Sequence, residues 1–123
     1  MKVAVLSDIH ANLPALQAVL GDLPLVDARV VCGDLVGYYP DADPVCDLLR
    51  TLDAHVIRGN HDAYVIGALS LASESAAAYK TAWTQANLSA ANLSWLEGLP
   101  VELNFAWDGL KVTVRHEIGR AHV

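Results

Sequence analysis

Apolar positions open the chain in short runs separated by helical spacing. Val3-Ala4-Val5-Leu6 is unbroken and rich in β-formers, which predicts a strand covered on both faces, as in a parallel sheet. Leu13, Leu16, Ala18, Val19, Leu20 and Leu23 then mark one wide helical face, with Asn12 as cap, Pro14 in the first turn and Pro24 as the stop. Residues 29–32, RVVC, predict a second strand ending at Gly33-Asp34. Asp43 as N-cap and Pro44 at the first helical position predict a second helix that turns Val45, Leu48, Leu49 and Leu52 inward. Residues 55–58, HVIR, predict a third strand running into Gly59-Asn60-His61-Asp62. Strand, helix, strand, helix, strand is the order of a parallel α/β sheet with right-handed crossovers.

Residues 68–97 change character. They are rich in Ala, Ser and Leu and predict helix, with Ser89 capping a short segment that carries Leu93 and Leu96 and stops at Gly98-Leu99-Pro100. Val101, Leu103 and Phe105 then alternate with other residues. Asp108-Gly109 is a two-residue hairpin turn, and 111–116, KVTVRH, predict the returning strand with Val112 and Val114 on one face. Trp83, Trp95 and Trp107 are expected in core or edge packing, and His55 in a structural role.

Composition narrows the class. The chain has 123 residues, 54% of them apolar, enough for one domain with a real core. A net charge of −6 without a Lys/Arg cluster argues against nucleic acid as a partner. Cys32 and Cys46 do not make a disulfide framework and are expected reduced and buried. Met1-Lys2 leads directly into a strand and no apolar run is long enough for a bilayer, so a cytoplasmic protein with no membrane partner is expected. The oligomeric state is left open.

The chemistry sits where strands end. Asp8-Ile9-His10, Gly33-Asp34 and Gly59-Asn60-His61-Asp62 each follow a predicted strand, and His116 ends a fourth. Ligands of open α/β sheets bind beyond the carboxyl ends of the strands, so one edge collects all four blocks. Asp, His and Asn side chains form a mixed oxygen and nitrogen donor set, which suits divalent Mn, Fe, Co, Ni or Zn better than Ca. Gly33 and Gly59 are expected to allow sharp turns or positive φ beside the ligands.

In this order and spacing the blocks resemble the calcineurin-like metallophosphoesterase superfamily, in particular its small bacterial and archaeal phosphoesterases. The signature D-x-H, G-D, G-N-H-[DE] and a strand ending in H is present as Asp8 and His10, Gly33-Asp34, Gly59 to Asp62, and His116. The resemblance implies β-sheet layers flanked by helices (α/β/β/α). It implies a divalent-metal-dependent hydrolase acting on a phosphomonoester or phosphodiester small molecule, through a hydroxide activated by two metal ions, manganese among the candidates. It assigns Asp8 and His10 to the first metal, Asp34 to both, and Asn60 and His116 to the second. His61 would contact the scissile phosphate, stabilising charge or protonating the leaving oxygen, and Asp62 would orient His61 or hold the turn. Asn12, Tyr38 and Arg58 are candidate substrate contacts, Tyr38 and Tyr39 by stacking and Arg58 by pairing with phosphate.

The chain departs from the signature after His116. The superfamily continues to a G-H-x-H block that gives one ligand to each metal, whereas Glu117 to Val123 hold only His122, in no matching frame. The expectation is a domain over residues 1–116 that lacks its C-terminal part, followed by a non-native tail, 117–123, read from sequencing adapter. Loss of two ligands would weaken metal binding and activity. The alternative is a non-catalytic metal- or partner-binding scaffold of the same fold.

Overall fold

The computed structural model describes residues 1–117. The three predicted strands form a parallel sheet in the order β1 (Val3–Leu6), β2 (Ala28–Val31), β3 (His55–Val56). β2 is central, and its partners fix register as Val5 opposite Val30 and Val31 opposite Val56. Period-two alternation then sorts the side chains: Val30 and Ile57 face one core, Val31 and Val56 the other. β3 is shorter than the four residues expected, although Ile57 N still donates to Val31 O at 3.0 Å. β1 is an edge strand, and Val5 is 66% exposed rather than covered on both faces. Among the described residues the layer over that face reaches Val3 and stops short of Val5.

One face carries the helices α1 (Leu13–Asp22), α2 (Ala42–Thr51), α3 (Asn60–Ile66), α4 (Ser73–Ala78), α5 (Thr81–Asn87) and α6 (Ala90–Glu97). Leu16, Val45, Leu49, Val65 and Leu96 pack with Val31 and Val56, each large apolar side chain contributing about 1.5–3 kcal/mol by burial. The other face is covered by the antiparallel hairpin β4 (Glu102–Trp107) and β5 (Leu110–Arg115), whose Leu103, Phe105, Val112 and Val114 close on Val30 and Ile57. Its turn is the predicted one, with φ of 50° at Asp108 and 80° at Gly109. The layers are thus helices, sheet and hairpin, a mixed α/β architecture. No helix among the described residues is long and apolar enough to cross a membrane.

Two helix caps are as predicted: Asn12 Oδ1 accepts from Ala15 N at 3.2 Å, and Ser89 Oγ from Asn92 N at 3.2 Å. α2 is different. It begins at Ala42 with Asp41 at the cap, because the Asp43 carboxylate is used elsewhere. Its Oδ1 accepts from Ser89 N at 2.8 Å and from Asn92 Nδ2 at 2.9 Å. Buried Asn92 also donates to Asp47 Oδ1 at 2.9 Å and accepts from Arg50 Nη1 at 3.0 Å, so one amide ties α6 to α2. Cys46 is buried, and Cys32 only half-buried; both are free thiols. Trp95 and Trp107 pack as expected, but Trp83 is 43% exposed. The expectations for 118–123, including His122, lie outside the described residues.

Candidate metal centre

Two loops and one helix start build the site, and their backbones are unusual. Asp8, His10 and Ala11 follow β1 with φ of 57°, 49° and 56°, and Asp34 follows β2 with φ of 56°. Such left-handed conformations are strained for non-glycine residues and survive where neighbours over-determine them. Here the two loops clamp each other: Asp8 N donates to Gly33 O at 3.0 Å, His10 N to Asp34 O at 3.0 Å, and Ala11 N to Leu35 O at 2.8 Å.

The third segment is drawn in by contact too close for any side chain. Gly33 has φ +90°, as its predicted role requires, and a Cβ there would meet Gly59 N at 2.6 Å. Gly59 itself is extended, at φ −95°, so its need is steric rather than conformational: a Cβ would overlap Asp34 N and Oδ1. Asp62 locks this arrangement. Its buried carboxylate accepts from Gly59 N at 2.9 Å, Leu35 N at 2.9 Å and Val36 N at 3.1 Å. Burial pushes its pKa up to about 6, against the pull of those three donors. Of the two roles expected for Asp62, these bonds serve holding the turn, since all three go to backbone.

Asp34 lies at the centre, buried, with Oδ1 accepting from His61 N at 2.9 Å. Its Oδ2 is 3.6 Å from His10 Nε2 and 3.2 Å from His116 Nε2. Both imidazoles are pinned from behind by carbonyls: His10 Nδ1 lies 3.1 Å from Val36 O, and His116 Nδ1 lies 2.7 Å from Cys32 O. A carbonyl only accepts, so Nδ1 of each ring carries the proton and Nε2 is left bare toward the centre. Asp8 Oδ1 is 3.6 Å from His10 Nε2, and its Oδ2 accepts from Ser7 Oγ at 2.5 Å. The Asn60 amide end lies 3.2 and 3.3 Å from the two Asp34 oxygens and 3.1 Å from His116 Nε2. As an NH₂ group it donates to them; turned about, its oxygen joins a ring of acceptors.

That ring is what a cation requires. A bare Nε2 facing a carboxylate oxygen at 3.2 Å is two lone pairs in opposition, relieved by a proton or a metal ion. The proton's share is visible in His116. Burial works against its charge, but the Cys32 carbonyl and the Asp34 and Asp8 carboxylates outweigh it and raise its pKa. Ligand-type atoms of Asp8, Asp34 and His116 lie within 4.8 Å of one another, as do those of His10, Asp34 and His61. The residues present therefore fit divalent cations, with Asp34 common to both groups.

The family model for calcineurin-like phosphoesterases matches residues 1–117. The chain belongs to that family. The chain is 37% identical over 117 residues to the uncharacterized protein MJ0912 of Methanocaldococcus jannaschii, covering 93% of this chain and 48% of that protein. It is similar in structure to a metallophosphoesterase from Sphaerobacter thermophilus, with TM-score 0.70, 42% identity, and 84% and 43% of the two chains covered. Hypothetical protein PH1004 from Pyrococcus horikoshii OT3 shares the fold at TM-score 0.68 and 24% identity, over 91% and 53%. The chain thus spans about half the length of the relatives it matches.

The remaining predicted residues are more scattered. His61 is buried, its ring 4.7 Å from that of His10 and 4.6 Å from that of Tyr79. Burial lowers its pKa, with Asp34 pulling the other way. Tyr38 stands over the same group, 4.9 Å from His10 and 5.1 Å from His61. Arg58 lines a cavity of about 370 Å³ with Asn60 and His116, and its buried Nε has no partner among the described residues. Asn12 lines a second cavity with Asp8 and His10 while capping α1. Sequence reasoning missed Ser7, Tyr79 and the Val36 carbonyl. Nothing in the spacing marks Tyr79, and a carbonyl is invisible in sequence. Ser7, adjacent to Asp8, was open to a hydrogen-bond argument.

Proposed function

We propose that the protein is a divalent-metal-dependent phosphoesterase whose site takes two cations and hydrolyses a phosphomonoester or phosphodiester. The family pattern would give Asp8, His10 and Asp34 to the first and Asp34, Asn60 and His116 to the second, whereas the ligand atoms here cluster as His10, Asp34 and His61 and as Asp8, Asp34 and His116; Asp34 is shared in both divisions. The observation that carries this is the buried Asp34 carboxylate facing two imidazoles whose bare Nε2 atoms are fixed by carbonyls. When bound, divalent cations supply positive charge that stabilises a phosphoryl group and acidifies water. Asp34 offsets their mutual repulsion and, through the His61 N–H bond, sets where His61 stands. His61, kept neutral by burial, donates a hydrogen bond to a phosphoryl or leaving oxygen. Asp62 positions both loops from behind and touches no substrate. Location in the cytoplasm belongs to the same reading.

The test is Asp34→Asn. The amide keeps an oxygen for His61 N–H and offers an NH₂ to His116 Nε2, so folding stability in EDTA should stay within about 1 kcal/mol. Calorimetric affinity for Mn²⁺ should fall by a factor on the order of 100, and hydrolysis of bis(p-nitrophenyl) phosphate should cease. Unchanged Mn²⁺ binding would overturn the assignment.

A further inference from the structure

Beside the metal centre lies a cleft of about 230 Å³ lined by Tyr38, Tyr39, Pro40, Lys80 and Trp83. Three of its walls are aromatic and exposed: Tyr38 at 43%, Tyr39 at 54% and Trp83 at 43%. Trp95 and Trp107 are packed by contrast, so exposure here is a local property rather than a shortage of core. The cleft is smaller than the roughly 300–1,000 Å³ of a drug-sized pocket, which suits one flat ring system rather than a whole elongated ligand.

Charge adds a second, independent observation. The chain carries a net charge of −6, yet the lining contains one cation and no acid. Lys80 makes no ion pair or side-chain hydrogen bond among the described residues; those found pair Arg115, His10, His116 and the N-terminus. Both Tyr38 and Lys80 have positive φ, 67° and 59°. The structure holds them there through Tyr38 N donating to Tyr79 O at 2.8 Å, and Thr84 N and Oγ1 both donating to Lys80 O at 2.9 Å. Tyr38 is shared: one ring borders the cleft and also stands 4.9 Å from His10 and 5.1 Å from His61.

We infer that this cleft is the subsite for the base of a nucleoside phosphate, with the ring stacked among Tyr39 and Trp83 and Lys80 pairing with phosphate. Every nucleobase has a π-face, so aromatic walls take it without reading sequence, while an ammonium takes phosphate as a point charge. The inference rests on the proposed phosphoesterase reading for the fate of the ligand, and on the cleft alone for its binding.

Binding is therefore tested without metal. The full chain in EDTA is titrated calorimetrically with AMP, adenosine, ribose 5-phosphate and inorganic phosphate. AMP should bind at least tenfold tighter than each of the other three. Trp83→Ala and Lys80→Gln should each weaken AMP on the order of tenfold, with Trp83→Phe retaining most of the affinity. Both positions are at the surface; if Trp83→Ala does not fold, Lys80→Gln and the ligand series decide alone. AMP binding no tighter than ribose 5-phosphate, or indifferent to Lys80→Gln, overturns the subsite. Because Mn²⁺ affinity is measured separately with Asp34→Asn, failure of one reading is distinguishable from failure of the other.

Discussion

Gly59→Ala puts a methyl group where the site has no room. The added Cβ would overlap both Asp34 N and Asp34 Oδ1. Neither backbone is free to retreat. Gly59 N donates to Asp62 Oδ2 at 2.9 Å and Gly59 O accepts from Ala63 N at 3.1 Å, while Asp34 O accepts from His10 N at 3.0 Å. The softest response is rotation of the Asp34 carboxylate, which orphans the buried His61 N–H and withdraws oxygen from between His10 and His116. Overpacking costs about 1–3 kcal/mol and an orphaned buried donor about 1–3 more, so we expect a loss of about 2–6 kcal/mol. In thermal unfolding followed by circular dichroism, that is a fall of about 10 °C or more. Mn²⁺ affinity should fall with it. The control is Gly21→Ala in α1, where a Cβ meets nothing within 4 Å and should stabilise by about 0.5–1 kcal/mol. If Gly59→Ala unfolds with its parent and binds Mn²⁺ equally well, the steric account of how Asp34 is placed is wrong.

Three further outcomes follow from the geometry. Asn92→Ala strips one amide from three charged partners, Asp43, Asp47 and Arg50, and should cost about 2–4 kcal/mol in urea unfolding; a cost under about 0.5 kcal/mol would show the network to be ornamental. In metal-free protein the imidazoles should titrate to opposite sides of the ordinary value of about 6.5, His116 above and His61 below, read from their proton resonances; the reverse order refutes the placement of charge around Asp34. The signs carry into stability: His116 contributes below that ordinary value and loses its contribution as pH rises through its own pKa. His61 contributes above the ordinary value and loses its contribution as pH falls below it through its own lowered pKa. Since a metal must displace the His116 proton, apparent Mn²⁺ affinity should weaken as pH drops toward 6; pH-independent binding between 6 and 8 would place His116 outside the site.

What could be read from the sequence follows the reach of each signal. Helix caps at Asn12 and Ser89 and the Asp108-Gly109 turn depend on neighbours within four residues and fold as read, whereas the strand runs mark the right places but not the length of β3 or the exposed face of β1. Asp43 satisfies the same local rule and still fails as a cap, because Asn92, 49 residues on, competes for its carboxylate and a buried amide between helices outbids a terminal N–H. α3 went unread because Gly59 to Asp62 looked only like a strand end, though an Asp at the third helical position is itself a start signal. The motif and the helix are the same residues: the helix begins at Asn60 so that His61 N can meet Asp34 and Asp62 can gather three loop donors. Spacing therefore reports which residues gather at the sheet edge, since strand ends are where a parallel sheet presents side chains. It does not report their second contacts. Whether His116 is a ligand or a structural ring turns on the carbonyl of Cys32 behind it, 84 positions away, and that is a property of how the hairpin packs on the sheet.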